Sequence, residues 1–326
     1  METRLVITID TEVSGNNSAY DTPNRQFYGM LDDNREFGIH YIMNTLDKFN
    51  WKCTFFINVF DSIKWGEETL KKLCNEIISR GFDVQLHTHI EHLNNEEKSY
   101  LAKQSLKTQT QLIKQGSSLL QKWTGVTPLW HRAGHLSADQ NTLKACKELN
   151  LCDSSYAHSW STCENIKTEN NKRNNLRTIE DTLELPITTF ETIPHSRHFR
   201  TLDINSCVLS ELNNVTDQAI ASETPYIVLL MHSFSFVRRE GEEYIERSRD
   251  INRFETFLHQ CQKKKNLIIG ALPAPAEIKY TKRTFEPTTG FITTYINALS
   301  NFSRSYKNKI ISFFPFVLLL LIKRRK

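Results

Sequence analysis

Short apolar runs rich in β-branched and aromatic residues alternate along the chain with longer segments whose apolar positions recur every third or fourth residue. The runs are Leu5–Ile9, Thr54–Val59, Val84–Leu86, Pro128–His131, Leu185–Ile187, Ile227–Met231 and Leu267–Ile269. Runs of this length, bounded by polar and turn-forming residues, predict strands. Helical spacing covers roughly Phe37–Phe49, Glu67–Arg80, Glu97–Trp123, Gln140–Leu149 and Asp250–Lys264. Strands alternating with helices predict βα units and a parallel sheet. Seven or eight such units predict an α/β fold closed, or nearly closed, into a barrel. A doubly wound open sheet competes with it, but no GxGxxG follows the first strand to support that topology. Ser161–Asp181, polar and rich in Asn, Lys and Thr, predicts a surface loop between barrel units.

Composition narrows the picture. The chain has 326 residues, 39% of them hydrophobic and 24% charged, enough for one large domain with a sizeable core. The net charge of +4 is small, and much of the positive charge gathers near the C-terminus, in Lys263–Lys265, Lys282–Arg283 and Lys323–Lys326. No basic stripe is interleaved with aromatics, so no nucleic-acid partner is expected. The seven cysteines form no CxxC pair, which fits neither a disulfide framework nor a zinc finger and suggests free thiols in a reducing compartment. METRLVITID runs straight into a strand pattern with no apolar signal-peptide core, so a cytoplasmic location is expected. The tail Ile310–Ile322, IISFFPFVLLLLI, is too short for an ordinary membrane span and is followed by KRRK. It reads either as a core helix or as a peripheral membrane contact, apolar face in lipid and basic cluster on anionic headgroups.

Candidate chemistry sits at the ends of the apolar runs. Val6–Glu12 ends in Asp10 and Glu12, two positions apart and therefore on one face of a strand. Carboxylates there are costly unless solvated, paired or metal-bound. Asp83–His92 ends in His87, His89, Glu91 and His92. His87 and His89 fall on one side of an extended backbone and can chelate one divalent cation, with a carboxylate from another strand completing the site. Arg132, in WHRAGH, can pair with a carboxylate, and the apolar run Tyr226–Met231 delivers His232 at its C-terminal end. Each of these residues has a plain structural alternative as a cap or surface group. Barrel enzymes, however, place catalytic groups at the C-terminal ends of their strands, and all four groups share that placement.

At these residues the chain resembles the polysaccharide deacetylase (NodB-like, carbohydrate esterase family 4-type) family. ITIDTE resembles its acidic first motif, DVQLHTHIEHL its His-bearing second motif in the QLHxH form of some bacterial branches, and HRAGH stands at its Arg motif. CDSSY, around Asp153, resembles its next Asp-containing motif and LLMHSFSF its final Leu–His motif; LELPITTF and FRTLDIN fit the same branch. The resemblance implies a distorted (β/α)7-type barrel over residues 1–275, followed by a C-terminal extension, 276–326. It also implies a hydrolase acting on a non-peptide C–N bond, removing an N-acyl group, acetyl in the usual case, from an amino sugar in a glycan or glycan precursor. A divalent metal ion, zinc foremost, would polarise the carbonyl. Asp10 would be the general base, oriented by Arg132, and His232 the general acid, with Asp153 in support. Two departures bear on the metal. Thr11 follows Asp10, so the acidic ligand role falls on Glu12. Position i+4 from His87 is Glu91 rather than His, so His87 is joined by His89, by Glu91 or by a shifted His92. A cytoplasmic enzyme would meet a precursor, such as a lipid-linked glycan at the inner face of the membrane, which the apolar-basic tail would suit. Competing functions are an amidohydrolase cutting a non-sugar C–N bond on the same scaffold and a non-catalytic carbohydrate-binding descendant.

Overall fold

The strand β1, Thr3–Thr11, is the spine of the sheet. Leu5, Val6, Ile7 and Ile9 are all fully buried, so side chains on both faces of the strand are covered. A parallel strand covered on both faces reads as a continuous apolar run rather than an alternating one, which is how VITI reads in the sequence. The computed structural model describes residues 2–13, 20–94, 100–158, 160–163, 166, 173–281 and 283–290, without the side chains of His92 and Asn94. Ile310–Lys326, the candidate membrane contact, lies outside the described residues.

The further strands are β2 (Thr54–Asn58), β3 (Asp83–Thr88), β4 (Trp130–Ala133), β5 (Cys152–Asp153), β6 (Arg177–Ile179), β7 (Thr182–Glu184), β8 (Thr189–Glu191), β9 (Phe199–Thr201), β10 (Tyr226–His232), β11 (Val237–Glu240), β12 (Glu243–Glu246) and β13 (Leu267–Gly270). The main sheet runs β10-β1-β2-β3-β4-β5-β7-β6, with β13 also paired to β1. Its pairings are parallel except that of β6 with β7. The sheet curls into a half-barrel, the α/β architecture that the alternation of strands and helices predicted.

Between β7 and β10 the curl is bridged by irregular backbone. Leu185 N donates to the Asp153 carbonyl (2.9 Å) and Ile187 N to that of Tyr156 (2.8 Å). On the other side Leu202 N donates to the Thr188 carbonyl (2.7 Å) and Leu230 N to that of Leu202 (2.9 Å). The expected strand Leu185–Ile187 is therefore extended chain rather than a ladder: regular pairing ends at Glu184, and Pro186 has no N–H to offer.

Helices lie at Ile39–Asp47, Glu67–Ser79, Leu106–Thr124, Gln140–Glu148, Leu209–Ala221 and Ser248–Cys261. The third starts nine residues later than its periodicity suggested. Ser105 caps it, its Oγ accepting from Thr108 N (3.2 Å), after a short 3-10 turn at Leu101–Lys103. Leu209–Ala221 was not foreseen. Its polar Asn213, Asn214, Thr216 and Asp217 mask an apolar stripe, Leu212, Val215 and Ala219, that is fully buried. The polar stretch Ser161–Asp181 is only partly a surface loop: Cys163, Ile166, Asn174 and Asn175 are buried, and Arg177–Ile179 is β6. Asn174 Nδ2 donates to the carbonyls of Thr189 and Phe285, so a residue typical of loops ties segments together inside the fold. Among the described residues all seven cysteines are free and buried, and no helix is long and apolar enough to cross a membrane.

Candidate active site

Parallel strands bring their C-terminal ends to one side of the sheet, and register decides which residues meet there. Asp10 pairs with His232 between β1 and β10, Asn58 with His87 between β2 and β3, and His87 with Arg132 between β3 and β4. The four sequence motifs thus reach one cleft of about 230 Å³ lined by Asp10, Glu12, His89, His232, Leu230 and Asp203, with His135, Leu136, Trp160, Thr201 and Ser206 around them.

Glu12 sits at the centre of the polar groups. Its Oε2 lies 2.5 Å from His89 Nε2 and 3.0 Å from His87 Nε2, and its Oε1 is 4.0 Å from His232 Nε2. Asp10 Oδ2 is 3.9 Å from His87 Nε2. Burial raises the pKa of the Glu12 carboxyl, but the charge of His89 and the hydrogen bonds from both imidazoles outweigh it and hold the carboxyl well below its ordinary value. Burial lowers that of His89, but the Glu12 and Glu91 carboxylates carry it well above the usual imidazole value.

Donor atoms of Glu12, His87 and His89 all lie within 4.8 Å of one another. His87 Nδ1 is 2.8 Å from the Arg132 carbonyl, which can only accept, so Nδ1 carries a hydrogen and Nε2 is the nitrogen that faces Glu12. A carboxylate and two imidazoles converging in this way match the donor chemistry of a divalent cation, zinc included. Glu91 stands behind His89, at 3.1 Å from its Nδ1, rather than beside Glu12. The side chain of His92 lies outside the described residues.

Arg132 is completely buried. Its Nη1 donates to Asp10 Oδ1 (2.7 Å) and Thr8 Oγ1 (3.0 Å), its Nε to the Ser154 carbonyl (2.8 Å) and its Nη2 to Ser154 Oγ (3.1 Å). Its guanidinium also covers the Phe56 ring at 4.1 Å. These contacts fix the Asp10 carboxylate at the cleft floor.

Asp153 is outside the cleft. Its Oδ2 takes the His131 Nδ1 hydrogen (2.8 Å) and the Ser155 hydroxyl (2.9 Å), and its Oδ1 takes Ser155 N (2.9 Å). It therefore sets the turn from which Ser154 grips Arg132. His89, Glu91 and His135 form a second group with ligand spacing, and His131, Cys146 and Asp153 a third. The far nitrogen of His131 is already bonded to Thr88 Oγ1 (2.9 Å), and all three residues of the third group are buried, so it is a structural network.

Sequence reasoning did not single out Thr8, Ser154, His135, Trp160 or Asp203. Four of them lie within quoted motifs, Thr8 in ITIDTE, Ser154 in CDSSY, His135 in HRAGH and Asp203 in FRTLDIN, but nothing in residue type or spacing marked them as part of the site.

Residues 19–152 match the polysaccharide deacetylase family model. A polysaccharide deacetylase homologue from Mycobacterium smegmatis shares the fold, with a TM-score of 0.55 at 15% identity over 83% of this chain and 87% of that one. A family 4 carbohydrate esterase from Streptomyces lividans, in complex with acetate, aligns with a TM-score of 0.45 at 12% identity over 87% and 98% of the two chains. A CE4-family pseudoenzyme from Bacillus anthracis aligns at 0.46 and 11% identity over 86% and 68%. No curated protein matches the chain.

Proposed function

We propose that this chain, whose residues 19–152 match the polysaccharide deacetylase family model, is a metal-dependent hydrolase that removes an N-acyl group, acetyl foremost, from an amino sugar. The observation that carries the reading is the meeting of two units in one cleft. One is the donor set Glu12, His87 and His89; the other is a buried Arg132–Asp10 pair opposite His232. A bound divalent cation would polarise the acyl carbonyl and lower the pKa of a coordinated water.

The chain's own residues would do the rest. Asp10, held by Arg132 and Thr8, takes a proton from the attacking water as general base. The water oxygen bonds to the acyl carbon, and the C–N bond breaks. His232, on the opposite strand and within 4.0 Å of Glu12, hands a proton to the departing nitrogen. A carboxylic acid and a free amino sugar result.

His135 and Trp160 are both 41% exposed where they line the cleft. A cleft open there, with an indole on its wall, supports a glycan substrate over a small cyclic ureide, which needs a closed pocket. All six site residues are present, which weighs against a role limited to carbohydrate binding. Within the amino-sugar class, the apolar-basic tail 310–326 supports a lipid-linked precursor at an anionic membrane surface. The test is acetate and free-amine release from N-acetylated monosaccharides, oligosaccharides and lipid-linked glycans. Release from at least one, with acetate and amine in equal amounts, is expected; release from none overturns the reading.

A further inference from the structure

We propose that Glu91, backed by His135, is the positioning residue that presents His89 to the cation site; the inference rests on the metal-dependent reading above. The two imidazoles of that site are mounted differently. His87 lies within β3, where the neighbouring strand supplies a backbone carbonyl for Nδ1. β3 ends at Thr88, so His89 stands beyond the ladder; its backbone N–H goes to Asn58 Oδ1 (3.1 Å). Its Nδ1 meets Glu91 Oε1 at 3.1 Å instead. An ionised carboxylate only accepts, so it takes the Nδ1 hydrogen and leaves Nε2, which faces Glu12, as the nitrogen that would give up its hydrogen to a cation.

The ring is also held from its other sides. A Cβ on Gly134 would lie 2.6 Å from His89 Cγ and 2.7 Å from Cδ2, so only glycine lets the chain pass this close. The His135 ring stands edge-on to that of His89, centroids 4.5 Å apart, and its Nε2 bonds the same Glu91 oxygen. His135 itself sits at φ 53°, in the left-handed region. Its carbonyl accepts from Trp160 Nε1 (3.0 Å) and Thr162 Oγ1 (2.6 Å), which hold the turn in place. Glu91 thus acts from the Nδ1 side of the ring, away from the Nε2 side where Glu12 stands. Glu91 also has ligand spacing with His89 and His135, so ligation by Glu91 itself is the outcome that the double variant separates from positioning.

The experiment is Zn(II) affinity of the full chain, measured by competition with a chromophoric chelator, for wild type, E91A, E91Q, H89A and H89A/E91A. E91A should bind about tenfold to a hundredfold more weakly. E91Q, whose amide oxygen still accepts the Nδ1 hydrogen, should recover much of that loss. In the H89A background, removing Glu91 should change affinity less than about twofold, because its effect passes through the missing ring. Wild-type affinity in E91A overturns the inference, as does an equal loss in both backgrounds, which would make Glu91 a ligand. Circular dichroism of each variant separates these outcomes from unfolding. A wild-type protein that takes up no zinc would instead overturn the cation site itself.

Discussion

At the scale of single residues, Asp10 carries the heaviest demand. Asp10→Asn keeps an oxygen for Arg132 to bond but removes the base, so turnover should fall roughly a hundredfold to ten-thousandfold with metal content unchanged. Rates of acyl release together with metal analysis check both halves; loss of metal as well would make Asp10 a ligand. Glu184 offers a pH test away from the cleft. It is fully buried, and burial pushes its carboxyl up to about 8 despite Arg177 at 3.4 Å and the amide of Tyr156 donating to it at 3.0 Å. Between the ordinary value near 4.5 and about 8, the folded chain holds a proton that the unfolded chain has released. Stability attributable to Glu184 is therefore full below that window and falls as pH rises through it. Glu184→Gln removes the titration, so the variant should gain stability relative to wild type between about pH 5 and pH 8. Denaturant unfolding at both pH values checks this; a constant difference would mean that Glu184 is already ionised in the fold. Asp10 and the histidines were legible in the sequence because strongly polar residues ended apolar runs. Glu184 was not, because its environment comes from segments far away in the chain.

At the scale of elements, what could be read was periodicity, and what was lost was anything tertiary packing decides. β1, β2 and β10 were visible because strands buried on both faces are rich in apolar residues. β5, two residues long, was too short to show, and Leu209–Ala221 was hidden by its polar majority. Leu185–Ile187 read as a strand, and that its backbone bridges the barrel instead depends on partners at Asp153 and Tyr156 that local sequence does not reveal. The turn after β4 was likewise legible only as small residues after an Arg. Its consequence, glycine against the His89 ring, needed coordinates. Gly134→Ala should force the ring or the turn to shift, costing about 1–3 kcal/mol of stability. It should also weaken metal binding, whereas a Gly81→Ala control, whose Cβ would meet only the end of Lys52, should leave metal binding unchanged. Thermal melts with metal titration check the pair, and equal metal affinity in the two variants would remove the steric argument.

At the scale of the whole molecule, a half-barrel gathers residues from both ends of the described chain around one cleft. The register places Asp10 beside His232 across 222 positions of sequence, and the segment after β13 returns to the barrel, where Lys279 N bonds Tyr226 OH (2.9 Å) and Thr289 N bonds the Glu191 carbonyl (2.8 Å). Ending the chain at Ser300 should leave this architecture and hydrolysis of a soluble substrate intact while reducing partition to anionic liposomes. A truncated protein that binds liposomes as the full chain does would remove the tail from the account. The central claim, that this cleft is a metal-dependent N-deacylating centre, is tested most directly by acetate release from an N-acetylated oligosaccharide before and after chelation. The account predicts release that stops when the metal is stripped, returns on adding about one equivalent of Zn(II) per chain, and does not return in His87→Ala. Release that continues unchanged in the stripped protein, or that returns equally in His87→Ala, would contradict it.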